Sequence, residues 1–244
     1  MGQKIRLSLW VVVMVFTLPF STVMAAGVSG VIKFEGTPPQ MNPINMAADP
    51  VCHKAHSKPV LAETLVLGPG QTMANIFVRV KKGLPSGKTY PVPTKPVVVS
   101  QKGCQYNPHV IGVMAGQGIN FMNPDGILHN VHAFPKINRP FNLAMPPAIK
   151  EKEKKFRKSE TMFPVKCDVH PWMQSWVGVM DHPFFSVTGK DGKYKIDGLD
   201  AGTYEIEAWH EKLGTMTQSI TLGASDQKSL NFAFSRESKQ VSQN

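Results

Sequence analysis

The chain has 244 residues, 42% of them hydrophobic, and a formal charge of +10 from 27 Lys and Arg against 17 Asp and Glu. That length suits one large domain or two small ones, and the composition is that of an ordinary globular protein. No aromatic–basic RNA motif accompanies the positive charge, so nucleic acid is not an expected partner, whereas acidic partners or an anionic surface are.

The first segment is a targeting signal. Lys4 and Arg6 precede the apolar run Leu7 to Phe20, and Val23-Met24-Ala25 supplies small residues near a cut site. Residues 1–25 therefore read as a secretory signal peptide cleaved after Ala25 or Ala26. A retained anchor is the alternative, but the run is short for a spanning helix. The expected product is an exported, periplasmic protein with no stable membrane span. Cleavage removes two cationic residues and no acidic one, so the charge falls to +8.

Twenty Gly and twenty Pro favour short strands and turns. Gly27 to Phe34 alternates as a strand, residues 40–62 are irregular, and Asn75 to Val80 is a second strand. Residues 86–96 form a Pro-rich linker. Strands then recur over 97–101, 109–114, 118–123, 129–134, 162–167 and 175–181, the rhythm of a β-sandwich or barrel. Beyond 184 come further short strands around the turn Gly189-Lys190-Asp191-Gly192. In Tyr204 to Trp209, Tyr204, Ile206 and Ala208 share one face and Glu205, Glu207 and Trp209 the other. Residues 235–244 are polar and read as a disordered tail.

The chemistry concentrates in Cys167-Asp168-Val169-His170-Pro171-Trp172-Met173. A thiolate, an imidazole and a thioether, completed by a second imidazole, are the ligands of a blue-copper electron-transfer site. The plainer alternative makes Cys167 and Met173 core residues and His170 a surface one. Two histidines compete for the distant place, His129 and His132. Residues three apart on a strand point to opposite faces, so one of them reaches the site without a bulge. His129 follows directly on the turn Asn123-Pro124-Asp125-Gly126 and is preferred. With Cys167 assigned to metal, Cys52 and Cys104 form an even remainder and pair as a disulfide in an oxidising compartment.

These residues resemble the cupredoxin family. Asn123 to Val131 matches the first-ligand segment of plastocyanin-like domains, and Cys167-x2-His170-x2-Met173 is similar to the short ligand loop of amicyanin. The resemblance covers residues 95–181 and implies a Greek-key β-sandwich with one type 1 copper held by His129, Cys167, His170 and Met173. It further implies that the Asn130 backbone N–H bonds the Cys167 sulfur while its side chain pins the ligand loop. His170, at the loop tip, is expected to touch solvent, with Pro171 and Trp172 as an apolar rim for a partner. The insert Lys150 to Lys158, with six Lys or Arg and two Glu, departs from the family. It reads either as a solvated loop or, through Lys152, Lys154 and Lys155, as a docking patch for an acidic redox partner.

Residues 184–234 resemble a second family, the carboxypeptidase regulatory-like or transthyretin-like β-domain, through Val187 to Tyr194 and Gly198 to Tyr204. Residues 27–85 would supply its first strands, with the copper domain inserted between; a tandem arrangement is the alternative. Cys52-His53-x2-His56 is a weak second metal candidate beside the disulfide. The roles of His53, His56 and His132 stay open, His182 and His210 read as structural or exposed, and His109 reads as a hydrogen-bonded strand residue. With no catalytic acid–base pair evident, the expected function is single-electron transfer rather than enzymatic turnover. Copper delivery or storage, or a non-redox cell-envelope binding module, are the alternatives.

Overall fold

The structure, a computed structural model, describes residues 25–237 together with Gly2. All of the signal segment except Gly2 and Ala25, and residues 238–244 of the tail, lie outside the described residues. No described helix is long and apolar enough to cross a membrane.

The fold is all-β. In chain order the elements are β1 (Ala26–Phe34), a short helix α1 (Pro50–Lys54), β2 (Phe77–Lys82), β3 (Val97–Ser100), β4 (Val110–Met114), β5 (Gly118–Met122), β6 (His129–Ala133) and β7 (Phe141–Met145). There follow β8 (Glu151–Lys155), β9 (Glu160–Lys166), β10 (Gln174–Met180), β11 (Phe185–Val187), β12 (Lys193–Leu199), β13 (Gly202–His210), β14 (Gly214–Leu222), β15 (Gln227–Ser229) and β16 (Phe232–Phe234).

Strands β3 to β10 make a sandwich of a five-stranded sheet, β4-β10-β9-β6-β7, and a three-stranded sheet, β3-β5-β8. Pairs β4–β10 and β3–β5 are parallel and the others antiparallel. Val99, Ile119 and Phe121 from the small sheet meet Ile111, Val131, Val165, Val177 and Val179 from the large one in a single core. Period-2 alternation places them there: in β10 Ser175, Val177 and Val179 turn one way and Trp176, Gly178 and Met180 the other.

The flanking segments pair with each other. β1 lies between β12 and β15 and runs on alongside β16, while β2 lies between β11 and β13, with β14 outside β13. The chain thus leaves a second sandwich after β2 and returns to it at β11. Its core takes Val28, Ile32, Val78, Val80, Tyr194, Tyr204, Ile206 and Ala208. On the opposite face of β13, Glu207 is buried against Arg79 Nη2 and Lys81 Nζ, each 2.8 Å away.

The two sandwiches meet over a small apolar cluster of Phe77, Val110 and Met180, with Trp176, Phe185 and Trp209 against it. Gly112 and Gly178 stand opposite each other in the β4–β10 register. A Cβ on Gly112 would sit 2.6 Å from ring carbons of both Phe77 and Phe185. The missing side chain lets the two aromatic rings approach the sheet this closely. Gly112→Val should cost about 1–3 kcal/mol through overpacking, read as a lower urea midpoint; an unchanged midpoint would mean that the two units do not rest on this contact.

Three features depart from the sequence expectation. β7 was not foreseen, because its alternation is shallow and only Met145 is buried. The insert Lys150 to Lys158 is not a loop: Glu151–Lys155 is edge strand β8, paired to β5, and Phe156 behind it is 2% exposed. A charged edge strand buries neither face and so lacks an alternating pattern, yet its charges guard the open edge. Residues 40–62, read as irregular, contain α1, whose first turn is capped by Asp49 accepting from Val51 and Cys52 N–H.

Candidate metal centre

β6 and the β9–β10 loop build the centre. His129 opens β6 directly opposite Met145 in β7. Cys167 follows β9, and the loop from Cys167 to Met173 is closed by Cys167 N–H donating to the Met173 carbonyl (3.2 Å) and Met173 N–H to the His170 carbonyl (2.9 Å). That closure turns Cys167 and His170 toward His129. The ligand atoms of His129, Cys167 and His170 all lie within 4.8 Å of one another, and all three residues are buried. The two Nδ1 atoms are 3.0 Å apart, and Cys167 Sγ is 3.7 Å from His170 Nδ1. Met173, 1% exposed, packs in the same core cluster as Cys167. Among the four expected ligands, then, three present their donor atoms to one point, and the fourth is buried in the same core cluster as Cys167.

A carboxylate orients each imidazole from outside. His129 Nε2 is 3.1 Å from Asp125 Oδ2, and His170 Nε2 is 3.2 Å from Asp49 Oδ2. The His170 hydrogen bond holds the Asp49 carboxyl below its ordinary value. Burial raises Asp125, but His129 and the Cys104 and Gly103 N–H groups bring it below. Both carboxylates are therefore acceptors, each Nε2 carries a hydrogen, and each imidazole turns its Nδ1 toward the other, 3.0 Å away. Two Nδ1 atoms and a sulfur aimed at one buried point would suit a cation that displaces their protons; carboxylate–imidazole pairs of this kind orient metal-ligating histidines. Burial also opposes ionisation of Cys167, yet hydrogen bonds from His129, the Asn130 N–H and His170 take the thiol down to about 7. Burial lowers His129, but Asp125 and Cys167 reverse this and bring it to about 8. A soft thiolate with two imidazoles fits copper.

Around the ligands runs a polar net centred on Asn130. Its Oδ1 accepts from Cys167 Sγ (3.3 Å) and from Asp168 N–H (2.7 Å), and its Nδ2 donates to Asn142 Oδ1 (2.7 Å) and Asp168 Oδ2 (2.9 Å). The side chain thus ties β6, β7 and the ligand loop together. His132 faces away from the centre, with Nδ1 3.0 Å from Asp168. Tyr106 O–H donates to the Asn130 carbonyl and to the Lys166 carbonyl (3.2 Å), closing the floor.

His170 does not touch solvent, contrary to the sequence expectation; it is 2% exposed. The segment leading into α1 covers it, with Asp49 as the contact. Cys52 and Cys104 are joined at 2.02 Å. Each half of that bridge is linked to one imidazole: Asp49 caps the helix of Cys52, and Asp125 accepts from the N–H groups of Gly103 and Cys104 (both 2.8 Å). Trp172 is half-buried rather than a free rim. Its Nε1–H donates to the Cys104 carbonyl (3.0 Å), and its ring lies 5.2 Å from the His170 ring. Asp49, Asp125 and Asp168 were missed in the sequence because each reads there as an ordinary turn residue. Asp49-Pro50 is a helix-cap signal, but nothing in the chain order shows that the cap lies over His170.

The remaining candidates lie elsewhere. Lys152, Lys154 and Lys155 sit on β8 in register with Phe121, Ile119 and Gly118, so this basic row runs along the strand edge and not around the ligand loop. His56 Nε2 bonds the Gly103 carbonyl at 2.7 Å, His53 is exposed, and Cys52 is spent in the disulfide, so the three do not gather into a second metal site.

No family model and no curated protein matches the chain. Solved structures show partial likeness. A copper-containing nitrite reductase from Thermus scotoductus is 20% identical over 41% of this chain and 26% of its own, with a TM-score of 0.34; this chain thus spans about a quarter of that enzyme. A copper(I) form of an amicyanin mutant is 21% identical over 41% of this chain and 99% of its own, with a TM-score of 0.31. A purple cupredoxin from Nitrosopumilus maritimus is 18% identical over 34% of this chain and 98% of its own, with a TM-score of 0.29.

Proposed function

We propose that this is an exported, periplasmic type 1 copper protein of the cupredoxin kind that carries single electrons and is not an enzyme. The observation that supports it is the convergence of two Nδ1 atoms and the Cys167 sulfur, buried, with each imidazole oriented by its own carboxylate. His129, Cys167 and His170 would hold one copper, with Met173 as the weak fourth ligand; copper there would supply a one-electron couple between its cupric and cuprous states. The chain's own contribution is rigidity. The Asn130 net, the two aspartates and the disulfide fix the donors, so little rearranges between oxidation states. The strand pairing of 26–34 and 77–82 with the segments after 184 supports reading the flanking segments as one domain split around the copper domain; on the sequence resemblance alone we take it to be transthyretin-like.

With His170 covered, a redox partner would approach over apolar side chains next to the centre. Leu128, Val169 and Val51 are 45%, 44% and 48% exposed, and they adjoin His129, His170 and the Asp49 cap. An acidic partner would add contacts to Lys152, Lys154 or Lys155. The test is copper(II) titration of the purified protein. One equivalent should give an intense visible thiolate-to-copper band and a reversible one-electron reduction. A colourless copper(II) form would end this reading.

A further inference from the structure

Beside the ligand loop, between the two sandwiches, lies a cleft of about 190 Å³. Ile44, Gln105, Pro171 and Trp172 give it apolar and amide walls, and His109 and Glu63 give it a polar end. The polar end offers an open acceptor. His109 is 7% exposed, and its Nε2 is 2.7 Å from Glu211 Oε1. Burial pushes the Glu211 carboxyl up, but its bonds from His109 and Trp176 bring it below the ordinary carboxylate range. Glu211 is thus an acceptor, Nε2 carries the hydrogen, and Nδ1 keeps a lone pair.

Among the described residues, that Nδ1 makes no hydrogen bond; Glu63 Oε2, 3.7 Å away, would pair with it only when the ring is protonated. Glu63 itself accepts no hydrogen bond there, and burial raises its carboxyl. This lone pair opens into the cleft, where the hydroxyl of a molecule entering it can donate to it. The cleft is smaller than drug-sized pockets, which run to roughly 300–1,000 Å³, and suits a single ring.

We propose that this cleft binds a small hydroxylated aromatic, a phenol or hydroquinone, with its ring against Trp172 and Pro171 and its hydroxyl donating to His109 Nδ1. The chemistry of the ligand gives the position a use. Loss of one electron makes a phenol O–H strongly acidic, and Nδ1 is the lone pair placed to take that proton, leaving a neutral aryloxyl radical. The imidazolium formed is flanked by Glu211 and Glu63. The electron has a short way to go, since the Trp172 ring lies 5.2 Å from the ring of His170. This use as an electron donor rests on the copper reading, in which copper(II) is the oxidant and becomes copper(I); the binding does not.

The test separates the two. Metal-free full-length protein is titrated with 4-fluorophenol and with 4-fluoroanisole, followed by fluorine NMR. The phenol should bind about five-fold more tightly than the ether, the worth of one hydrogen bond of about 1 kcal/mol, and His109→Phe should erase that difference. Gln105→Trp, which fills the cleft from a half-buried wall, should abolish binding of both and guards against misfolding of the His109 variant. Equal affinity for phenol and ether in the native protein, or phenol binding unchanged by Gln105→Trp, would overturn the site. In copper-loaded protein, His109→Gln should slow reduction by hydroquinone while leaving the visible band in place. An unchanged rate would remove the proton-acceptor role, and a missing band would count against the copper reading alone.

Discussion

Cys167→Ser should abolish the visible charge-transfer band of the copper(II) protein outright, while His132→Ala leaves it in place. The two variants divide the thiolate ligand from the histidine on the wrong face of β6. Serine keeps the size of the side chain and removes the soft, easily ionised donor, and a hydroxyl has no comparable covalency with copper(II). His129→Ala should behave like the cysteine variant, since His129 Nδ1 lies 3.0 Å from His170 Nδ1 inside the centre, whereas His132 Nδ1 lies 3.0 Å from Asp168 outside it. Asp125→Ala should keep the band but weaken copper(II) binding by about 10–100-fold, the usual effect of removing a carboxylate that orients a metal-bound imidazole. The measurements are the visible spectrum and competition with a chelator of known affinity. A Cys167→Ser protein that stays coloured, or a His132→Ala protein that loses its colour, would refute the ligand assignment.

Opening the Cys52–Cys104 bridge is the other change with a large expected effect. It closes a sequence separation of 52 residues. On the chain-entropy account a loop of that size is worth about 4 kcal/mol, or roughly 10 °C in melting temperature for a chain of this length. The position of the bridge adds a second consequence. Asp49 hangs from the Cys52 helix and holds His170, and Asp125 accepts from the Cys104 N–H and holds His129. Loss of the bridge therefore slackens both imidazoles at once. The Cys52→Ser/Cys104→Ser double variant should melt lower without metal and also bind copper more weakly, by about as much as loss of one aspartate. A variant that melts lower but binds copper as tightly as the native protein would show that the bridge serves folding alone.

Much of this architecture was readable along the chain. The recurrence of short strands between turn residues announced β4, β5, β6, β9 and β10, each of which lends a face to the core of the first sandwich. β7 and β8 escaped because β7 buries a single residue and β8 none. His129 was separable from His132 because side-chain parity along a strand is a local property, and three residues always reverse the face.

The sequence by itself determined the all-β class, the free third cysteine and the short run that carries Cys167, His170 and Met173. Those features are set by composition, by parity and by a spacing of a few residues, which the backbone cannot rearrange. Only the tertiary structure decided that the two imidazoles are oriented by Asp49 and Asp125, that His170 is covered, and that the β-units at the two ends of the chain pair with each other. Each of these joins residues far apart in the chain: Asp49 and His170 are 121 positions apart, and His109 and Glu211, at the edge of the cleft, are 102. Contacts over such distances leave no periodic trace, because they are fixed by how sheets stack rather than by how a strand alternates.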